Sequence, residues 1–262
     1  MLDVLLTPVA LLGRATLSVC RSTGQLTLFL IEGLSHLLRP PFYVRLFWQS
    51  FVEFAYFSLP VVALTAVFTG MVLALQASTG LSRFNAESAI ANLVVLSMTR
   101  ELGPVLTAVM VAGRVGAAMA AQIGTMRVTD QIDALTTLST NPMKYLVTPR
   151  LLAGAIAVPL LVVVADILGV FGGYLVAILK LGFSSQVYLK NTYDFMTRLD
   201  VVSGLVKAVV FGVLISLLGC YNGYRSKGGA EGVGAATTSA VVASCVLIFF
   251  FDYILTEAFF TR

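Results

Sequence analysis

Long apolar runs constrain this chain of 262 residues more than any other feature of its sequence. About 20 apolar residues in a helix cross the hydrocarbon core of a bilayer, and a run of that length is favourable only in hydrocarbon. Charged residues make up 11% of the chain, against about a quarter in soluble domains. Because so few charges cannot cover a water-soluble surface, the sequence predicts an all-α, multi-pass membrane protein.

Five apolar stretches are long enough to span a membrane. They are Ala55–Leu75, Ser88–Met126, Leu151–Leu179, Val201–Cys220 and Ala235–Phe260. The second is too long for one simple crossing, and charges and Pro104 interrupt it, which predicts a broken or overlong helix. The polar segment 127–150 predicts a loop with a short helix, and Lys180–Asp200 predicts a small amphipathic helix outside the bilayer.

The first 39 residues have a different pattern from the rest. Their polar side chains recur in steps of three, four or seven, which is the spacing of one helical face. This predicts an amphipathic helix along the membrane interface, ended by Pro40 and Pro41. We therefore expect an interfacial segment over residues 1–50 and a transmembrane domain over residues 51–262.

Loop charges choose between the two orientations of a five-span chain. With the N-terminus in the cytoplasm, ten basic residues fall inside and five outside, which favours an N-in, C-out topology. The inner set is Arg14, Arg21, Arg39, Arg45, Arg114, Arg127, Lys144, Arg150, Arg225 and Lys227. The outer set is Arg83, Lys180, Lys190, Arg198 and Arg262.

Three ionisable residues lie in the predicted spans or near their ends. Arg100 and Glu101 are neighbours in the chain and point about 100° apart on a helix, so we do not expect them to pair with each other. Lys207 lies inside the fourth span, and with Arg100 it offers positive charge to an anionic headgroup. The alternative is that all three side chains reach back to the interface.

Two further acids, Asp166 and Asp252, also lie within spans. Such a residue can relay protons or bind a cation in a secondary transporter, or it can cap a broken helix or bond to a neighbouring hydroxyl.

Small residues repeat at every fourth position in the second span, at Ala112, Gly116, Ala120 and Gly124. This repeat predicts a close helix contact within the chain or across a dimer.

The sequence contains no motif for catalysis. It has no phosphate-binding G-x-x-x-x-G-K-[ST] loop and no H-E-x-x-H zinc pair, and it has one histidine. Its basic residues form no nucleic-acid surface, and its three cysteines share no metal-ligand spacing. We therefore expect a transporter that performs no chemical step, driven by an ion gradient or by a separate ATPase.

The run Arg100–Leu135 resembles the signature region of the MlaE/YrbE permease family, which includes chloroplast lipid-import permeases. The resemblance continues through Asn141–Gly154, Gly204–Gly212 and Cys220–Tyr224, so it covers essentially the whole chain. It implies a homodimeric permease of the cell inner membrane, part of an ABC transporter that moves phospholipids between the inner and outer membranes and maintains outer-membrane lipid asymmetry.

The resemblance also implies partners. A cytosolic ABC ATPase dimer would bind ATP and Mg²⁺, so that this chain itself needs no cofactor. A periplasmic MCE-domain protein and a small STAS-domain protein would complete the assembly.

Particular residues acquire roles through the same resemblance. Arg100, Glu101 and Lys207 correspond to the family's lipid site, in which the two cations would contact phosphate. The short helix after the second span would couple the permease to its ATPase through Thr129, Asp130, Gln131, Asp133 and Leu135. Gln122 stands where many relatives have Glu, which puts any role for that carboxylate in doubt.

Two other functions are compatible with the residues alone. An ion-coupled secondary transporter would use Asp166, Asp252, Glu101 and Lys207 as a relay, and it would work without an ATPase. A passive scaffold would anchor partner proteins and would tolerate removal of the charges at Arg100 and Lys207.

Overall fold

The computed structural model describes residues 2–40, 42–81 and 87–261. Over these residues the chain forms eleven α-helices and no strand, so the predicted all-α fold is confirmed. The helices are α1 Leu2–Ser35, α2 Val44–Ala55, α3 Leu59–Leu81, α4 Glu87–Ser97, α5 Gly103–Val111, α6 Ala117–Val128, α7 Gln131–Thr137, α8 Thr148–Leu179, α9 Ser185–Phe195, α10 Arg198–Tyr224 and α11 Gly229–Phe260.

Five helical segments are long and apolar enough to cross a membrane, as predicted. They are Val44–Gly80, Ala89–Val128, Met143–Leu179, Arg198–Tyr224 and Gly229–Phe260. Most extend well beyond the apolar windows of the sequence, because a helix continues through polar residues at its ends once its backbone hydrogen bonds have begun. The largest difference is in the first span, where the amphipathic helix α2 precedes α3 and buries Phe54.

The chain divides into two compact units, one ending at Phe42 and the other beginning at Tyr43. In the first unit, α1 and a 3₁₀ turn at His36–Leu38 form the predicted helix, while its place at the membrane interface stays a prediction. The second unit holds all five spans. The predicted division at residue 50 concerns membrane position and also stays a prediction.

The second span is overlong, as the sequence predicts. It is a nearly continuous helix in which two π-helical turns, Met98–Leu102 and Ala112–Gly116, separate α4, α5 and α6. Its 40 residues correspond to about 60 Å, twice the bilayer core, so it must project from the membrane. Arg100 and Arg114 each lie in one of the π turns. Such turns are frequent at functional sites.

The ridge of small residues in the second span packs within the chain, against α10. A Cβ added at Gly219 would stand 3.0 Å from the carbonyl oxygen of Gly116, and one added at Gly223 would stand 2.8 Å from that of Ala120. Ala112 and Ala120 are fully buried. The predicted close contact is thus an intramolecular helix pair.

The connections between the later spans contain two short helices and one tight turn. Helix α7 lies in the loop between α6 and α8, and α9 lies between α8 and α10, as the two predicted short helices. The glycine-rich segment before the last span is shorter than the sequence indicates, since α10 continues to Tyr224 and α11 begins at Gly229. The turn is made by Gly228 and Gly229, whose positive φ angles of 85° and 70° suit glycine.

Candidate functional site

Lys207 lies at the centre of a buried polar cluster formed by the second, fourth and fifth spans. Its side chain is 0% exposed, and its ammonium group forms ion pairs with Glu101 at 2.9 Å and Asp252 at 2.8 Å. The same Nζ donates to the carbonyl oxygen of Arg100 at 2.9 Å and to the hydroxyl of Thr256 at 2.7 Å. These oxygens satisfy the charge inside the protein, so Lys207 does not reach back to the interface.

Arg100 forms the second half of this cluster with Asp200. Its Nε and one terminal nitrogen lie 2.7 and 2.6 Å from the same carboxylate oxygen. The other oxygen of Asp200 accepts from the backbone N–H and the hydroxyl of Thr197, both at 2.8 Å, at the start of α10. The guanidinium group also lies 4.0 Å from the ring centroid of Phe260, a cation–π contact.

Helix periodicity explains how three spans meet at one cluster. On α10, Asp200 and Lys207 are seven residues apart and therefore share a face. On α11, Asp252, Thr256 and Phe260 repeat every fourth residue and share another. The π turn Met98–Leu102 supplies Arg100 and Glu101, which bond in different directions and not to each other, as the sequence predicts.

The charge balance of the cluster differs from the positively charged site that the sequence indicates. Three carboxylates, those of Glu101, Asp200 and Asp252, accompany the two cations, which leaves a formal charge of −1. Among the cations, only Arg100 has an accessible side chain, which is 29% exposed. Glu101 is 39% exposed. Arg100 and Glu101 are therefore partly accessible, whereas Lys207 is enclosed by the groups with which it pairs.

Sequence reasoning missed Asp200, Thr256 and Phe260. Asp200 stands at the edge of an apolar run and resembles an ordinary helix-capping residue. Its i, i+7 spacing to Lys207 was a usable signal, but it does not say which cation the carboxylate meets.

The predicted coupling residues lie just before the short helix α7 and in its first part. Thr129, Asp130 and Gln131 are exposed, Leu135 is half-buried, and Ile132 anchors the helix in the core. Asp130 immediately precedes the helix, in the left-handed region with φ 57°, rather than in its first turn. Asp133 pairs at 2.6 Å with Arg127 of the same chain, so part of its charge is already satisfied.

Gln122 bridges two spans at the α7 end of the second span. Its amide nitrogen lies 3.4 Å from a carboxylate oxygen of Glu53, and its amide oxygen accepts from Arg150 at 3.1 Å. An amide can donate and accept at once, whereas a glutamate here would bring a second carboxylate next to Glu53. The residue thus suits its neighbours in this chain.

Residues that could hold a metal ion do not cluster anywhere in the described part of the chain: no group of three or more His, Cys, Asp or Glu side chains has a suitable arrangement there.

The chain is similar to known permease proteins. The family model described as Permease MlaE matches residues 47–258. A probable ABC transporter permease protein of Rickettsia felis is 56% identical over 248 residues, which cover 95% of this chain and 96% of that protein. The intermembrane phospholipid transport system permease protein MlaE of Haemophilus influenzae is 37% identical over 206 residues, 78% of each chain.

A plant relative extends the similarity. The chloroplastic protein TRIGALACTOSYLDIACYLGLYCEROL 1 of Arabidopsis thaliana is 39% identical over 203 residues, which cover 78% of this chain and 58% of that protein.

Proposed function

Since this chain belongs to the MlaE permease family, we propose that it is the membrane-spanning subunit of an ABC transporter that moves phospholipids between the inner and outer membranes and so maintains outer-membrane lipid asymmetry. The observation that carries the proposal is the 37% identity to a phospholipid-transport permease over 78% of each chain. The chain is a permease and not an enzyme. ATP and Mg²⁺ would bind to a separate ATPase subunit.

The proposed assembly follows the family. Two copies of the chain would form the permease in the inner membrane, with a cytosolic ABC ATPase dimer, a periplasmic MCE-domain protein and a STAS-domain protein as partners. Loop charges support an N-in, C-out orientation. In that orientation α7 faces the cytoplasm and the Lys207 cluster lies toward the periplasm.

The second span provides a mechanical link between these two ends. It carries Arg100 and Glu101 in one π turn, and it leads directly into Asp130 and α7. From Arg100 to Val128 the helix covers about 40 Å at 1.5 Å per residue. A displacement of α7 by the ATPase would therefore move the second span, which carries Arg100 and Glu101 of the cluster.

In the cluster itself, the accessible side chain of Arg100 is the proposed contact for a lipid phosphate. Two of its nitrogens are held by Asp200, which orients the planar guanidinium group and leaves further N–H donors for a ligand. Glu101 would contact the cationic or hydroxyl part of a headgroup. Lys207 would fix the position of Glu101 from the buried side.

Reconstitution tests the proposed function. Proteoliposomes containing the chain and its ATPase should transfer labelled phospholipid only when ATP is present. Arg100→Gln should lower this rate at least about tenfold, because it removes a charge-assisted contact to phosphate. Arg100→Gln combined with Asp200→Asn, which leaves no unpaired carboxylate at that position, should show the same loss. Arg198→Gln is the matched control, since Arg198 is an exposed arginine at the start of α10.

The alternatives predict different results in the same vesicles. Transport that continues without the ATPase and stops when an ionophore collapses the ion gradient would favour a secondary transporter. A chain that assembles normally with its partners but transports no lipid would favour a scaffold. In that case Arg100→Gln should leave the assembly unchanged.

Asp130 tests the coupling segment. Asp130→Asn should reduce ATP-dependent transport several-fold while leaving thermal stability unchanged, because asparagine also tolerates the left-handed conformation and only the charge is lost. Asp194→Asn, an exposed change on α9, is the control. Transport by Asp130→Asn at the wild-type rate would exclude a role for this carboxylate in coupling.

A further inference from the structure

A pocket of about 350 Å³ lies outside the Lys207 cluster, between the second and third spans and the segment that contains α9 and the start of α10. Six of its nine lining residues are Val, Ile or Met. Ile167 lies at its edge with 64% of its surface exposed, on the outward face of α8. A ligand can therefore enter from the side.

Asp166 lines this pocket without a partner. Its carboxyl group makes no hydrogen bond or ion pair with any of the residues that the structure describes. One oxygen, Oδ1, is shielded from solvent and lies against the backbone of Gly103, where an added Cβ would stand 1.9 Å away. The other oxygen is left to meet a ligand. A buried polar group without a partner is costly, so a ligand that supplies one would be bound favourably.

The other polar groups of the pocket narrow the choice of ligand. Thr99 donates its hydroxyl proton to the carbonyl oxygen of Val95, and Thr192 donates to that of Tyr188, both at 2.9 Å. Their oxygens can still accept, but their donors are used. No lysine or arginine lines the pocket. Without a cation the pocket disfavours a phosphate inside it. The unpaired carboxyl group of Asp166 favours a ligand with a polar group that can hydrogen-bond to it.

The volume of the pocket limits the size of the apolar part of the ligand. About 350 Å³ is at the low end of the range of about 300–1,000 Å³ for pockets that hold small organic molecules. It suits one hydrocarbon chain and is small for the two chains of a complete phospholipid. The combined requirement is a single chain with a polar group beside it, such as a hydroxyl, that can hydrogen-bond to the carboxyl group of Asp166.

We propose that this pocket binds a monoacyl phospholipid, with the acyl chain among the apolar residues, the free glycerol hydroxyl donating to Asp166, and the phosphate outside. Such a site differs in place and in chemistry from the Lys207 cluster. It adds a second lipid class to the proposed function and does not depend on ATP.

Photocrosslinking to the full-length chain tests the proposal. The chain is placed in nanodiscs of synthetic diacyl phospholipid, without its ATPase, and treated with lysophosphatidylethanolamine that carries a diazirine on its acyl chain. We expect saturable labelling that maps to α4 and α8 at the pocket, near Val95 and Val170. The 2-deoxy analogue, which lacks the hydroxyl, should label about tenfold less at the same concentration.

Variants of the chain separate the role of the Asp166 carboxyl group from that of the pocket volume. Asp166→Leu should lower labelling about tenfold, whereas Asp166→Asn, which keeps an acceptor oxygen, should retain most of it. Val170→Phe should abolish labelling by filling the pocket. Asp194→Leu, an exposed acid on neighbouring α9, should have no effect. Size-exclusion profiles identify variants that do not fold.

Two results would overturn the proposal. Equal labelling by a diacyl probe would show that ordinary bilayer lipid fills the pocket. Labelling that is indifferent to the hydroxyl and to Asp166→Leu would show that the acid binds nothing. Neither result bears on ATP-driven transport by the complete assembly, so failure here and failure of the proposed function are distinguishable.

Discussion

Replacing Lys207 with Met is expected to destabilise the folded chain by about 3–5 kcal/mol, the typical cost of removing one partner from a buried ion pair. The substitution leaves the carboxylates of Glu101 and Asp252 without the cation that lies 2.9 and 2.8 Å away. Denaturant unfolding of the purified chain in mild detergent measures the change. Lys190→Met, at an exposed position on α9, should change stability by less than about 0.5 kcal/mol.

A compensated variant shows whether the loss comes from unpaired charge. Lys207→Met combined with Glu101→Gln and Asp252→Asn should recover most of the stability, because no charged group remains without a partner at this point. The recovered protein should still fail to transport lipid if Glu101 contacts the substrate. A cost below about 1 kcal/mol for Lys207→Met alone would contradict the buried ion pairs.

The second large effect is expected at Gly212, where α10 crosses α8. A Cβ there would stand 2.1 Å from the carbonyl oxygen of Gly154, and the obstacle is backbone, which cannot move aside like a side chain. Gly212→Ala should therefore cost about 1–3 kcal/mol or more by forcing the two helices apart. The midpoint of thermal unfolding measures it.

Gly234→Ala provides a control of opposite sign. Gly234 also lies in a helix, α11, but a Cβ added there meets nothing within 4 Å. Alanine favours the helix by up to about 1 kcal/mol relative to glycine, so this variant should be neutral or slightly stabilised. Equal losses from Gly212→Ala and Gly234→Ala would contradict a close α8–α10 contact.

The sequence predicted the form of the second span better than that of the first. The overlong second span was predictable, because its length and its internal charges are visible in the chain. The early start of the first span was not, because α2 mixes aromatic residues with Arg45, Gln49 and Glu53 and its apolar face becomes evident only where it packs. The packing role of the Gly116–Ala120 ridge was predictable, whereas its partner, α10, was not.

By itself, the sequence determined membrane residence, the number of spans, the absence of catalytic motifs and the family resemblance, since each depends on residues that are near one another in the chain. Only the tertiary structure decided which charges meet. Arg100 and Asp200 are 100 residues apart, and Lys207 and Glu101 are 106 apart. Helix periodicity sets the face of each residue, but helix packing chooses its neighbour, and that choice turned a site expected to be positive into a cluster with an excess of acid.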